Sequence, residues 1–269
     1  MAVRENLFKR AIREGRPQIG LWLDMADALA AEIAGHAGFD WLVIDGEHGP
    51  NDLRSILAQL QALSSSSAEP VVRAPVGETW MIKQLLDIGA RTLLIPMVDS
   101  AEQARELVRA VRYPPHGVRG VGAAVARASA FNTIPDYADT ASDGICLLVQ
   151  AESRAAIADL ENIAAVDGVD GVFIGPADLA ADMGFLGRMD APEVQSVIES
   201  AIATIVKAGK AAGILTFSEE LNRRYITLGA SYVAVGADVT EFSGALRTLR
   251  SRYRDGEGAK TVTSSRPGY

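Results

Sequence analysis

The stretch Val43–Pro50, VIDGEHGP, puts two carboxylates and a histidine directly behind an apolar run, WLVI. The chain has 3 histidines, and imidazole is the side chain that titrates nearest neutral pH. His48, with Asp45 three residues earlier, is therefore a candidate acid–base pair. Related chemistry follows other apolar runs. Arg73 ends PVVRA, where a guanidinium can clamp a carboxylate or neutralise developing negative charge. Gln150 and Glu152 follow CLLV, Asp178 follows GVFIG in GPADLA, and Thr216 and Phe217 end GILTF. Glu152 and Asp178 suit a hard divalent cation, because two carboxylates leave the rest of an octahedron to water and substrate. The sequence has no HExxH and a single cysteine, Cys146, which argues against a structural zinc site. Every one of these residues also has a plain reading. Asp45 is a helix cap, Arg73 pairs with a surface acid, Glu152-Ser153 caps the next helix, and Asp178 pairs locally. The functional reading rests on their occurring together.

Positioning them is the task of the elements between. Candidate strands are Gln18–Leu23, Trp41–Asp45, Pro70–Ala74, Arg91–Met97, Gly144–Gln150, Gly171–Gly175, Ala211–Phe217 and Ser231–Gly236. They are continuous apolar runs, the pattern of parallel strands buried on both faces. Helical patterns such as NDLRSILAQLQAL, AEQARELVRAVR and APEVQSVIESAIATIVKAG lie between them, with apolar residues at three- and four-residue spacing. The turns GFD, GAR, GVD and GAS, at Gly38, Gly89, Gly168 and Gly229, fit left-handed helix caps before a strand. This alternation predicts an α/β chain forming a single (β/α)8 TIM barrel over residues 1–253, with a flexible polar tail over 254–269. The alternative, a doubly wound open sheet, normally carries a glycine-rich turn after its first strand, and DMADALAA is not one. In a barrel the C-terminal strand ends share one rim, and the acids, the arginine and the histidine all fall there. The 113–143 segment is too long for an ordinary connection and reads as an ordered loop or lid. With Trp22, Phe173 and Leu215 it is a candidate wall of the pocket.

Composition narrows the function. A net charge of −8 argues against a nucleic-acid partner and against a polybasic membrane surface. No apolar run reaches the roughly 18 residues that span a bilayer, and MAVRENLFKRAIREG lacks the apolar core of a signal peptide. The expected location is the cytoplasm. Lys9, Lys83, Lys207, Lys210 and Lys260 all miss the strand-end rim, so carbonyl chemistry here should depend on a metal rather than a Schiff base.

FDWLVIDGEHGPND, VVRAP, LLDIGARTLLIPMV, RYPPHGVRGVG, LLVQAES and GVFIGPADLAADMG, in order, resemble the HpcH/HpaI aldolase family, most of all its 4-hydroxy-2-oxoheptanedioate aldolase branch. The resemblance runs from about Gly20 to Phe242. It implies a barrel of the phosphoenolpyruvate/pyruvate type with a swapped last helix, ADVTEFSGALRTLRSRY. It also implies a class II aldolase that reversibly cleaves 4-hydroxy-2-oxo acids to pyruvate and an aldehyde. It implies metal ligands at Glu152 and Asp178 for Mg2+, Mn2+ or Co2+. Substrate binding falls on Arg73, Gln150 and the Gly175, Pro176, Ala177, Asp178 turn, and catalysis on His48 with Asp45 as its partner. A metal-bound hydroxide is the rival base. Asp87 matches an acid that approaches the site from a neighbouring subunit, within a hexamer built as a trimer of dimers. Rivals are lyases for 2-keto-3-deoxy sugar acids or for CoA thioesters, the latter needing a basic cluster that the 113–143 loop would have to supply. A non-catalytic oxo-acid-binding barrel is the rival of a different class. Glu47 either touches the metal's water shell or bonds inside the turn.

Overall fold

The computed structural model describes residues 5–254. Its strands are β1 (Gln18–Leu23), β2 (Trp41–Asp45), β3 (Glu69–Arg73), β4 (Thr92–Ile95), β5 (Cys146–Ala151), β6 (Gly171–Ile174), β7 (Ala211–Leu215) and β8 (Ala230–Ala237). Each pairs in parallel with the next, and β8 pairs back to β1, so the sheet closes into a barrel and the open-sheet alternative is excluded. All eight strands expected from the sequence are present, β1 and β2 with the expected bounds and the others with ends displaced by at most two residues. The tail read over 254–269 lies, from residue 255 onward, outside the described residues.

The helices are α1 (Leu7–Arg13), α2 (Ala28–Gly35), α3 (Leu53–Ala62), α4 (Thr79–Asp87), α5 (Ala101–Val111), α6 (Tyr137–Gly144), α7 (Arg154–Ala158), α8 (Leu160–Ala165), α9 (Pro176–Asp182), α10 (Pro192–Lys207), α11 (Glu219–Thr227) and α12 (Asp238–Ser251). The four glycines expected to cap helices have φ of 90° at Gly38, 102° at Gly89, 96° at Gly168 and 105° at Gly229, the region where a Cβ is costly. Asp52 caps α3 in a reciprocal box with Ser55, which leaves Pro50 in the turn before the helix. The helical stretch after Glu152-Ser153 is split into α7 and α8 at Asp159, whose carboxylate accepts from the Ala101 amide at 2.7 Å.

Strand parity sorts the core into two layers. Leu42, Ile44, Val72, Leu93, Val149 and Val172 face outward onto the helices. Trp22, Trp41, Val43, Val71, Leu148, Phe173 and Tyr232 fill the barrel, and Phe8 and Ile12 of α1 close its N-terminal end. Phe173, expected as a pocket wall, is part of this filling. Asn6 fixes α1 by donating to Thr92 Oγ1 at 2.9 Å, and Lys9 and Arg13 pair with the buried Asp170 at 3.3 and 3.0 Å. Because inward residues alternate, extending each inward row by two residues past the filling reaches the opposite rim: Asp24 beyond Trp22, Asp45 beyond Val43, Arg73 beyond Val71, and Gln150 then Glu152 beyond Leu148.

The 113–143 segment is ordered and lies mainly away from that rim, although Val118 lines a cavity with Val76 and Met97 of the loops after β3 and β4. It joins α5 to β5 and so runs at the N-terminal end of the strands, where helix-to-strand connections must lie. There Arg127 donates to the Ile88 and Leu60 carbonyls at the ends of α4 and α3. Arg119, fully buried, pairs with Asp87 at 3.1 Å and stacks 4.4 Å from the Tyr113 ring centroid. These arginines are therefore committed to structure and do not form the cluster that a CoA nucleotide needs. Lys210, tied to the Val166 and Val169 carbonyls, lies at the same end. Leu148→Ala, in the middle of the filling, is expected to lower unfolding free energy by about 2–5 kcal/mol, measured by urea denaturation.

Candidate active site

The rim is organised by Arg73. Its Nε donates to Asp45 Oδ1 at 2.8 Å and its Nη2 to Asp45 Oδ2 at 2.5 Å, a bidentate pair in which both side chains are buried. The pair is written into the sheet, since Asp45 and Arg73 are register partners of β2 and β3. Nη1 forms an ion pair with Glu47 at 2.8 Å, and the guanidinium carbon lies 5.4 Å from the Trp22 ring centroid. Trp22, expected as a wall, is thus the floor beneath Arg73.

Asp45 also shapes the turn that follows it. Its Oδ1 accepts from the Glu47 and His48 amides at 2.9 and 3.3 Å, while its carbonyl accepts from Asn51 Nδ2 at 2.8 Å. Gly46 lies so close to β3 that a Cβ there would meet the Arg73 carbonyl oxygen at 2.7 Å. The expected Asp45–His48 partnership takes a different form in this structure. Asp45 holds the His48 backbone, and among the described residues no hydrogen bond joins it to the imidazole. His48 itself is exposed at the mouth of the rim.

Burial raises the Asp45 carboxyl, but the Arg73 hydrogen bonds and charge outweigh it and hold it below the usual carboxylate range. Arg73 is desolvated too, yet Asp45, Glu47 and Glu152 hold its pKa above the ordinary value. Glu47 is pushed up by burial, against the pull of Arg73 and His48.

On the opposite side of the rim, Glu152 is 2 % exposed. Its Oε1 accepts from the Met97 amide at 2.7 Å, and its Oε2 accepts from Gln150 Nε2. Met97 takes the left-handed conformation, φ 56°, and its backbone amide serves the Glu152 carboxylate. Gly175 allows α9 to start against this carboxylate, since a Cβ there would approach Glu152 Cβ to 2.7 Å. Burial, with the Asp178 and Glu47 charges adding to it, pushes Glu152 up to about 7. Gln150 Oε1 is buried without a hydrogen-bond partner. A buried carboxylate repelled by two others, beside an orphaned amide oxygen, is a donor set that fits a hard cation. Among the described residues no cluster of three or more His, Cys, Asp or Glu has metal-site spacing, so such an ion would draw on Glu152 and Asp178, with water and substrate completing its shell. Asp178 is exposed on the first turn of α9, open to the mouth.

Of the other expected residues, Pro176 is buried at the start of α9 and Ala177 half-buried beside Asp178. Asp87 does not join the rim of its own chain, because it ends α4 at the other end of the barrel. Thr216 is used locally, bonding Ser218 and Asn222. Three contributors escaped the sequence reading: Glu47 as an Arg73 partner, the Met97 amide, and Asp24. Asp24 had a signal, since it continues the inward parity of Gly20 and Trp22. The Met97 amide had none, because a backbone donor leaves no trace in residue type. A cavity of about 780 Å³ opens at the N-terminal end of the barrel, lined among others by Phe8, Gln18, Asp40, Arg127 and Phe131, and contains none of the rim residues.

The family model described as HpcH/HpaI aldolase/citrate lyase matches residues 18–245. The chain is 74% identical over 269 residues to the hydroxypyruvate/pyruvate aldolase of Agrobacterium fabrum, covering 100% of both. It is 54% identical over 264 residues to the 4-hydroxy-2-oxo-heptane-1,7-dioate aldolase of Shigella sonnei, covering 98% of this chain and 99% of that one. An HpcH/HpaI aldolase/citrate lyase family protein of Burkholderia cenocepacia J2315 superimposes with a TM-score of 0.89 at 40% identity, over 93% of this chain and 99% of that one.

The Asp45–Arg73 pair gives a stability test. A carboxyl with a depressed folded pKa stabilises the fold above the unfolded value, near pH 4, and that contribution disappears as pH falls through the lower folded value. Asp45→Asn is expected to cost about 3 kcal/mol at neutral pH and to flatten the loss of thermal stability between about pH 4 and pH 2.

Proposed function

From the premise that this chain belongs to the HpcH/HpaI aldolase/citrate lyase family, we propose that the Arg73-centred rim catalyses its aldol chemistry with the aid of a divalent cation. The chain is a carbon–carbon lyase, a class II aldolase that reversibly cleaves 4-hydroxy-2-oxo acids to pyruvate and an aldehyde. The observation that carries the assignment to this rim is the facing of a fixed, buried guanidinium by the under-neutralised carboxylates Glu152 and Asp178. A 2-oxo acid is an anion with a polarisable keto oxygen, and it answers both halves.

Glu152 and Asp178 are the proposed metal ligands, for Mg2+, Mn2+ or Co2+. A cation bound there supplies Lewis-acid polarisation of the keto and carboxylate oxygens. Arg73 faces the oxygen on which negative charge develops, and its bonds to Asp45 and Glu47 keep it from reorganising during the reaction. Gln150 and the Gly175–Asp178 turn orient the 2-oxo acid. His48, at the mouth, accepts the proton of the 4-hydroxyl. As the C3–C4 bond breaks, its electron pair passes into the enolate, the aldehyde leaves, and protonation of C3 completes the 2-oxo acid. The Agrobacterium fabrum relative supports hydroxypyruvate as well as pyruvate as the nucleophile in the synthetic direction.

The proposed assembly is a homo-oligomer, a hexamer with α12 swapped between subunits and Asp87 contributed to a neighbour's site. Supporting it, no residue of α12 is buried, and Val239, Phe242, Leu246 and Leu249 form an exposed apolar stripe at three- and four-residue spacing. No described helix is long and apolar enough to cross a membrane. Cytoplasmic residence remains part of the proposal.

Three outcomes test this reading. With Mn2+, a panel of 4-hydroxy-2-oxo acids should release pyruvate in a coupled assay, EDTA should abolish the signal, and Mg2+, Mn2+ or Co2+ should restore it; full activity after exhaustive chelation refutes the metal requirement. His48→Ala should slow cleavage by about 100-fold or more while pyruvate still binds, and unchanged cleavage kinetics would remove His48 as the base. Phe242→Glu combined with Leu246→Glu should reduce the mass measured by light scattering to smaller assemblies.

A further inference from the structure

Asp24 lies immediately beyond β1, one residue past the Leu23–Ile44 register pair, and so level with Asp45 on the inner face of the rim. It is half-buried, and its carboxyl is in hydrogen-bond contact with that of Asp45. Two carboxyl groups in such contact share one proton, since neither has another to donate. Asp45 is the ionised member, because it already accepts two bonds from Arg73 and two from backbone amides. The proton therefore resides on Asp24, whose hydroxyl donates to Asp45. The Asp24 and Met25 amides in turn donate to the Asp238 carboxylate, at 2.8 and 3.3 Å, at the start of α12. The loop carrying Asp24 is thereby fixed from behind. The charged groups facing Asp24 are Asp45 on β2, Arg73 on β3 and Asp238 on α12.

We propose that Asp24 is a positioning residue of the aldolase site: its carboxyl, by donating to Asp45, holds the Asp45–Arg73 pair in the geometry that presents the guanidinium to the substrate. Burial, followed by the hydrogen bond to Asp45 and that group's charge, pushes Asp24 up to about 8, with Asp238 raising it further and Arg73 opposing. Below that value Asp24 is neutral and donates. Above it, a second anion faces Asp45, the hydrogen bond is lost, and Asp24 competes with Asp45 for Arg73. Activity should therefore fall on the alkaline side, around pH 8.

The inference rests on the aldolase reading and is tested apart from it. Pyruvate release is measured for the wild type, Asp24→Asn and Asp24→Ala at saturating Mn2+ between about pH 6 and pH 10. Asp24→Ala removes the donor and should lower kcat/KM by about tenfold at neutral pH, the size expected for one hydrogen bond to a charged group. Asp24→Asn, whose amide donates at every pH, should fall between the two at neutral pH and lack the alkaline limb centred near pH 8 in the wild type. Infrared difference spectra give a readout independent of turnover: the wild-type spectrum minus that of Asp24→Asn, in which the Glu152 band cancels, should show a carboxylic-acid C=O band that disappears as pH rises toward about 8. An alkaline limb unchanged in Asp24→Asn, or no such band, overturns the proposal. A wild type that releases no pyruvate but carries the band overturns the aldolase reading and leaves the Asp24 proton in place.

Discussion

A guanidinium buried at the end of a barrel is the constraint to which the rest of the site answers. An uncompensated charge there would cost several kcal/mol, so Arg73 must be surrounded by acceptors, and those acceptors must be fixed. Asp45 meets the requirement twice. One oxygen, Oδ1, receives Arg73 Nε together with the Glu47 and His48 amides. The turn that carries His48 to the mouth and the placement of the guanidinium are therefore fixed by the same oxygen. A change at Asp45 disturbs both, which is why its role is wider than orienting an imidazole. Trp22 below and Glu47 beside the guanidinium complete the cage.

The barrel makes this cage inexpensive to position. Parallel strands in register put residues of equal height side by side, so β2 and β3 deliver Asp45 and Arg73 as neighbours without any loop having to fold onto them. The inner layers of Trp41, Val43, Val71, Leu148, Phe173 and Tyr232 beneath are tightly packed, and Gly213 is flush against the Tyr232 ring, where any Cβ would clash. A charged rim rests on a rigid apolar column. The lower end, closed by α1 and its Asp170 ion pairs, is spent on stability.

Much of this was legible in the sequence, for identifiable reasons. Continuous apolar runs gave all eight strands because strands buried on both faces leave no alternation to misread, and the glycines at 38, 89, 168 and 229 marked the strand entries because few other residues tolerate their φ. The residues that share the rim were legible because they follow apolar runs directly. What was lost depended on through-space direction. The 113–143 segment looked like a lid by its length, but length carries no information about which end of a barrel a loop occupies; its position after a helix does. Asp45 was assigned to His48 by closeness in sequence, whereas its carboxylate went to Arg73, 28 residues away. Asp24 was given no role, although counting by twos from Gly20 through Trp22 leads to it.

The two halves of the rim are built on opposite electrostatic terms, and that asymmetry is an argument about mechanism. On the β1–β3 side, Arg73 has Asp45 and Glu47 as counter-charges, and a neutral Asp24 adds a donor without adding a third anion. That half is internally satisfied and holds its shape before anything binds. On the β5–β6 side, Glu152 is buried against Gln150 with Asp178 and Glu47 repelling it, and its bonds to the Met97 amide and Gln150 do not prevent its pKa from rising. In the proposed reading, that half is completed by the positive charge of a cation. A site preorganised on one side and under-neutralised on the other favours a ligand with negative charge at one end and a polarisable carbonyl beside it, the description of a 2-oxo acid. In the proposed reaction the guanidinium has no need to move as charge develops on the keto oxygen, since its counter-charges are fixed by the sheet and do not depend on the substrate.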